Sequence, residues 1–133
     1  MRITLEADYA VRIVYYLATT NTKSDAGAIA DQVGVTMRFT LKILGKLSRA
    51  GLVRSFKGAA GGYVLSKNPE EISLLDIITI VDGPIAINKC LWPTAGCTRV
   101  ADKEKCPFHI EFQRVSDIIS KELDSVKMSK FLP

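Results

Sequence analysis

Cys90, Cys97 and Cys106 are the only thiols in the chain, spaced C-x6-C-x8-C, and the sole histidine, His109, follows three residues after the last. An odd number of cysteines argues against a disulfide framework. Cysteines that merely fill a core would be scattered through periodic segments; these cluster in one aperiodic stretch. Thiolate and imidazole are donors for zinc or for an iron–sulphur cluster. Zinc sites favour closely spaced cysteine pairs that set a tetrahedral angle. The gaps of six and eight residues suit a cluster better, because its metal atoms are spread over several ångströms. Three thiolates leave one ligand to come from elsewhere, and such an incomplete set gives an exchangeable cluster suited to sensing. Cys106 and His109 could in principle form a nucleophile pair. Three residues apart at the start of a helix, a shared metal is the more natural use, and no oxyanion donors can be argued. The chain reads as a non-enzyme.

The thiols lie in residues 85–106, where Asn88, Pro93 and Gly96 break any periodicity. A loop of this length inside a compact protein is usually functional. Before it, Ser73-Leu74-Leu75-Asp76 has the pattern of a helix cap with an acidic first turn, and Asp82-Gly83-Pro84 ends that helix. After it, Pro107 suits a first helical position, and a last helix is expected to about Lys127. Phe108, Phe112, Val115, Ile119 and Val126, widened by Ile118 and Leu123, give this helix an apolar stripe. The chain has little left to cover such a stripe, so a dimerisation helix is expected.

The other half of the sequence reads as a DNA-binding head. Residues 8–19 form a helix by the recurrence of Ala10, Ile13, Val14 and Leu17, with Asp8 favourable at its N-terminal end. Residues 27–36 are a short helix broken at Gly34, a turn between two helices. Thr36 caps a second helix running to about Ala50. At about 100° per residue, Arg38, Lys42, Lys46 and Arg49 form one stripe, with Phe39, Ile43, Leu44 and Leu47 on the opposite side. Two short strands, 52–57 and 63–65, flank Gly58-Ala59-Ala60-Gly61-Gly62 and predict a hairpin wing. Neither a basic stripe nor a glycine-rich turn points to DNA by itself; their succession within about forty residues predicts a winged helix-turn-helix. Thr36 and Arg38 are expected near base edges, and Lys42, Lys46, Arg49, Arg54, Lys57 and Gly58 near phosphate.

The 133 residues allow one ordinary domain with an appendage, and 47% apolar with 24% charged residues is a globular composition. The net charge of +4 is unevenly placed: residues 1–68 carry ten Lys/Arg against four Asp/Glu, residues 69–133 eight against ten. Positive charge therefore sits in the expected DNA-reading half. With no signal-peptide core and no membrane-length apolar stretch, a cytoplasmic protein with no membrane partner is expected. The expected class is mainly α with a small β-hairpin wing. Its parts are a winged helix-turn-helix DNA-binding domain over 1–83, a cysteine-rich cluster-binding loop over 84–106, and a dimerisation helix and tail over 107–133.

With these parts in place, residues 1–128 resemble the bacterial IscR/NsrR-type family of winged-helix regulators, to which CymR also belongs. The resemblance is carried by Met1-Arg2-Ile3-Thr4, Asp8-Tyr9-Ala10, Gly34-Val35, Gly51-Leu52-Val53, the wing Lys57-Gly58-Ala59-Ala60-Gly61-Gly62-Tyr63-Val64-Leu65, Ile72-Ser73-Leu74-Leu75-Asp76, and the cysteines. It implies a homodimeric transcriptional regulator, usually a repressor, on a palindromic operator. It also implies that Cys90, Cys97 and Cys106 hold a [2Fe-2S] or [4Fe-4S] cluster whose state, answering to nitric oxide, redox or iron–sulphur supply, controls DNA affinity. The cysteine gaps here are longer than is common in the family. The alternative it leaves open is sensing through thiols, a metabolite, a partner or a structural zinc, without a cluster. For the fourth ligand, His109 matches the histidine of the iron–sulphur-biogenesis branch. Asp8 matches an aspartate given by the opposite subunit in the nitric-oxide-sensing branch. Imidazole is the softer donor, but a ligand from the partner's head would tie cluster loss to head movement, and Asp8 is preferred on that ground.

Overall fold

Each helix of the head starts at a side chain that accepts a free backbone N–H. The computed structural model describes residues 2–133; Met1, part of the sequence motif, lies outside them. Thr4 Oγ1 accepts the Ala7 N–H at 3.1 Å and opens α1 (Leu5–Thr20), about a turn before the start expected from Asp8. Thr4 outcompetes Asp8 because its hydroxyl reaches an N–H three residues ahead. Asp25 opens α2 (Ala26–Val33), which Gly34 ends at φ +69°, in the left-handed region. Thr36 opens α3 (Met37–Arg49) by accepting the Phe39 N–H at 3.3 Å. Ser73 and Asp76 form the capping box of α4 (Leu74–Asp82).

The apolar faces of α1, α2, α3 and α4 meet around Ile13, Ile29, Ile43, Leu44, Leu47 and Ile77, all fully buried. The wing is an antiparallel pair, β1 (Val53–Phe56) and β2 (Gly62–Leu65), with Val53 opposite Leu65 and Phe56 opposite Gly62. Ser24 exchanges two backbone hydrogen bonds with Tyr63, at 2.8 and 3.1 Å, and ties the wing to the α1–α2 connection. The hairpin end turns on Gly61, where an added Cβ would lie 2.5 Å from the Phe56 carbonyl oxygen. Only glycine fits there.

Residues 83–106 run without regular structure except for single 3-10 turns at Lys89–Leu91 and Lys103–Lys105. Then α5 (Pro107–Ser125) begins at the expected proline. It stops two residues short of the expected Lys127, because Lys127 pairs with Ser73 and Met128 N–H reaches the Ile72 carbonyl at 2.8 Å. Met128 is only 1% exposed and belongs to the head's core. The sequence pattern gave no sign of this return. Along α5 only Ser116 is buried; Phe108, Ile110 and Ile118 are exposed at 63%, 52% and 49%.

Candidate nucleic-acid interface and thiol cavity

The outward side of α3 is narrower than the sequence stripe. Arg38, Lys42 and Arg49 are exposed, as are Thr36 at the cap and Arg54, Lys57 and Gly58 on the wing. Lys46 is turned away. Its Nζ lies 3.0 Å from Glu6 Oε1 on α1 and 3.5 Å from the carbonyl oxygen of Val81 on α4. At 100° per residue Lys46 stands roughly 80° from Arg38, on the flank that meets α1. Phe39 lies on that same flank, so it is 42% exposed and meets Tyr9 edge-on at 6.0 Å rather than entering the core. On the wing, Phe56 carries Lys23 and Arg54 cations at 4.8 and 5.2 Å from its ring centre. Lys23 was not singled out from the sequence, since its polar loop has no periodicity to mark it.

The three thiols, dispersed over the loop, line one cavity of about 220 Å³ together with His109, Asn88, Arg99, Lys103, Phe108 and Phe112. Each sulphur accepts an N–H. Asn88 Nδ2 donates to Cys90 at 3.2 Å, the Arg99 backbone N–H to Cys97 at 3.4 Å, and Arg99 Nη2 to Cys106 at 2.8 Å. The Arg99 guanidinium also stacks 5.2 Å from the Phe108 ring centre, and the Lys103 ammonium donates to the carbonyls of Trp92 and Ala95. Arg99 and Lys103 thus hold the loop's shape. Their only sequence signal was positive charge among the cysteines.

This surrounding favours thiolate. The backbone N–H groups of Val100 and Arg99 hold the Cys97 thiol below its ordinary pKa. The N–H of His109 does the same for Cys106 at the start of α5, against burial and with help from the Phe108 N–H and Arg99. His109 Nδ1 is buried with no hydrogen-bond partner. An orphaned buried polar atom costs about 1–3 kcal/mol, and the residue lines the cavity of the thiols. Thiolate sulphur and free imidazole nitrogen form a donor set that fits iron or zinc. Among the described residues, no three Cys, His, Asp or Glu side chains are gathered tightly enough to hold one metal ion. Asp8 lies on α1, ion-paired with Arg12 at 2.7 Å, and Arg12 also donates to the Val33 carbonyl at 3.4 Å, next to the helix turn.

Residues 3–133 match the family model described as Rrf2, iron-dependent transcriptional regulator. Protein aau3 of Rhizobium meliloti is 38% identical over 91 residues, 68% of this chain. The match spans only 59% of that relative's length, and less than two thirds of the Mycobacterium tuberculosis regulators that follow it. The regulator IscR of Erwinia tasmaniensis is 27% identical over 134 residues, covering 99% of this chain and 79% of its own. The structure of CymR, the global cysteine regulator of Bacillus subtilis, superposes with a TM-score of 0.73 at 27% identity, over 97% of this chain and 94% of that one. Among the described residues no helix is long and apolar enough to cross a membrane.

Proposed function

The chain belongs to the Rrf2 family of transcriptional regulators, and we propose that it is a homodimeric repressor whose operator affinity is set by an iron–sulphur cluster held by Cys90, Cys97, Cys106 and His109. The observation that supports this reading is the shared cavity lined by the three hydrogen-bonded cysteines and by His109, whose Nδ1 has no hydrogen-bond partner. Zinc sites favour closely spaced cysteine pairs, and the gaps of six and eight residues between the thiols support a cluster over a single zinc ion. When bound, the cluster would supply chemistry that responds to oxidants, nitric oxide or iron supply. The protein's part is to hold the thiolates apart, to offer the imidazole, and to connect the loop to the head. That connection is short. Asp82, the last residue before the loop, accepts the Thr4 hydroxyl and N–H at the start of α1, and the neighbouring Val81 carbonyl accepts Lys46 of α3. Movement at residue 83 therefore bears directly on the reading helix.

The exposed apolar face of α5 supports a second copy of this chain as its cover, and two heads related by a two-fold axis match a palindromic operator. In this reading residues 1–83 bind DNA, 84–106 sense, and 107–133 assemble the dimer, with residues 127–131 also closing the head. Asp8, preferred from the sequence as a ligand from the partner, is ion-paired with Arg12, whereas His109 lines the cavity of the thiols, which supports His109 as the fourth ligand. The deciding experiment is anaerobic purification with iron and sulphide analysis and an absorption spectrum. Cys97→Ala and His109→Ala should lose the cluster spectrum, and Asp8→Ala should keep it. A colourless wild type reconstituted with iron and sulphide would remove the reading. The likeness to CymR and the N–H-stabilised thiolates support a second reading, direct thiol sensing, in which operator release follows oxidation of metal-free protein.

A further inference from the structure

We propose that Glu6 acts as a built-in substitute for a DNA phosphate, occupying Lys46 and Lys42 of the reading helix and so restraining the protein's sequence-independent affinity for DNA. The inference rests on the DNA-binding reading given above. Glu6 stands in the first turn of α1, and its Oε1 lies 3.0 Å from Lys46 Nζ and 3.6 Å from Lys42 Nζ. One carboxylate oxygen thus faces two ammonium groups. The glutamate side chain is 19% exposed, Lys46 28% and Lys42 55%. The oxygen is buried without an aligned hydrogen bond, so the contact is one of charge. Such a pair adds little to stability when its members are partly solvated, but it changes what the lysines offer to a polyanion.

Three features favour competition over simple bracing. The helix start is already fixed by Thr4, which caps α1 and bonds to Asp82. Lys46 has a second acceptor in the Val81 carbonyl, so it is placed without the carboxylate. Lys42 has no other anionic partner among the ion pairs of the described residues, and it shares its exposed face with Arg38 and Arg49. A phosphate reaching this face competes with Glu6 for Lys42. Non-specific binding, which depends on such contacts almost alone, loses most from that competition.

The test uses the full-length metal-free protein and a mixed-sequence duplex, with affinity measured by fluorescence anisotropy across a salt series. Freeing one lysine steepens the dependence of log K on log salt by about 0.9 for each head engaged, about eightfold tighter binding per engaged head at 0.1 M salt if the curves converge near 1 M. Glu6→Gln should show this gain, and adding Lys42→Ala and Lys46→Ala should abolish it. Thermal melting checks the fold, and Glu6→Ser repeats the measurement should the glutamine melt early. An unchanged or shallower slope in both variants overturns the proposal and leaves Glu6 as a brace. A gain that survives removal of both lysines also overturns it, by assigning the effect to overall charge. Wild-type protein that binds no duplex at low salt would instead bring down the DNA-binding reading itself.

Discussion

Replacing Met128 by alanine should destabilise the helical head, although the residue lies beyond α5. Met128 is 1% exposed and packs within the same core as α1 and α4, with its N–H bonded to the Ile72 carbonyl at 2.8 Å. Truncating a buried methionine to alanine costs about 2–5 kcal/mol, less where neighbours can collapse into the space. Here Met128 borders an open groove lined by Val11, Tyr15, Leu74 and Phe131, and the tail can settle inward. The lower end, about 2–3 kcal/mol, is therefore expected. That is a large part of a native stability of about 5–15 kcal/mol. At roughly 3–4 °C per kcal/mol for this chain length, melting should fall by about 6–12 °C. The assay is thermal unfolding followed by circular dichroism, with wild type and variant at one protein concentration because the proposed dimerisation would make Tm concentration-dependent. Phe131→Ala, in the same turn but 45% exposed, should cost less than about 1 kcal/mol. Equal melting of Met128→Ala and wild type would refute the tail as part of the core, as would a larger loss from Phe131→Ala.

In metal-free protein, alkylation of Cys97 and Cys106 should proceed through thiolate with midpoints below that of an ordinary cysteine, because both pKa values are lowered. The sign for stability follows: this contribution is full above the unfolded thiol pKa of about 8.5 and fades as pH falls through the folded values. Rates that rise only above an ordinary thiol midpoint would contradict the hydrogen-bonding account. Gly61→Ala should deform the wing, since its Cβ would meet the Phe56 and Gly58 carbonyl oxygens at 2.5 and 2.7 Å; duplex affinity should drop several-fold while α-helical signal is kept. Undiminished affinity would show that the hairpin end plays no part in binding. Ile118→Asp, at a site 49% exposed in the single chain, should leave the protomer folded and shift sedimentation to monomers. A variant that stays dimeric would place the assembly face elsewhere.

What the sequence made legible was local. Thr36, Gly34, Ser73 and Pro107 act on N–H groups or dihedrals within a few residues, and their signals hold wherever the segment is placed. That the thiols would share one region was legible for a similar reason: three rare residues within one loop can reach a common cavity. The rotation of α3 was harder to read, because the position of Lys46 and Phe39 depends on where α1 touches the helix. The pairing of Lys127 with Ser73 left no periodic trace at all, since two extended residues make too short a pattern. Arg99 shows a further limit. Charge in a loop normally means solvent, and only the folded loop turns this guanidinium onto Cys106.

The return of the tail also bears on how the protein folds. Ser73 and Lys127 are 54 positions apart, so their bridge encloses α4, the thiol loop and α5 in one long closure. Contacts of that separation form late and slow a folding rate, whereas α1, α2 and α3 follow one another in sequence and pack together. The helices α1, α2 and α3 should thus assemble early, with the docking of α4 on α1 and of Met128 into the core coming later. A nascent or damaged chain would hold a preformed but loosely packed head, and its ability to grip an operator would wait on the arrival of its distant end.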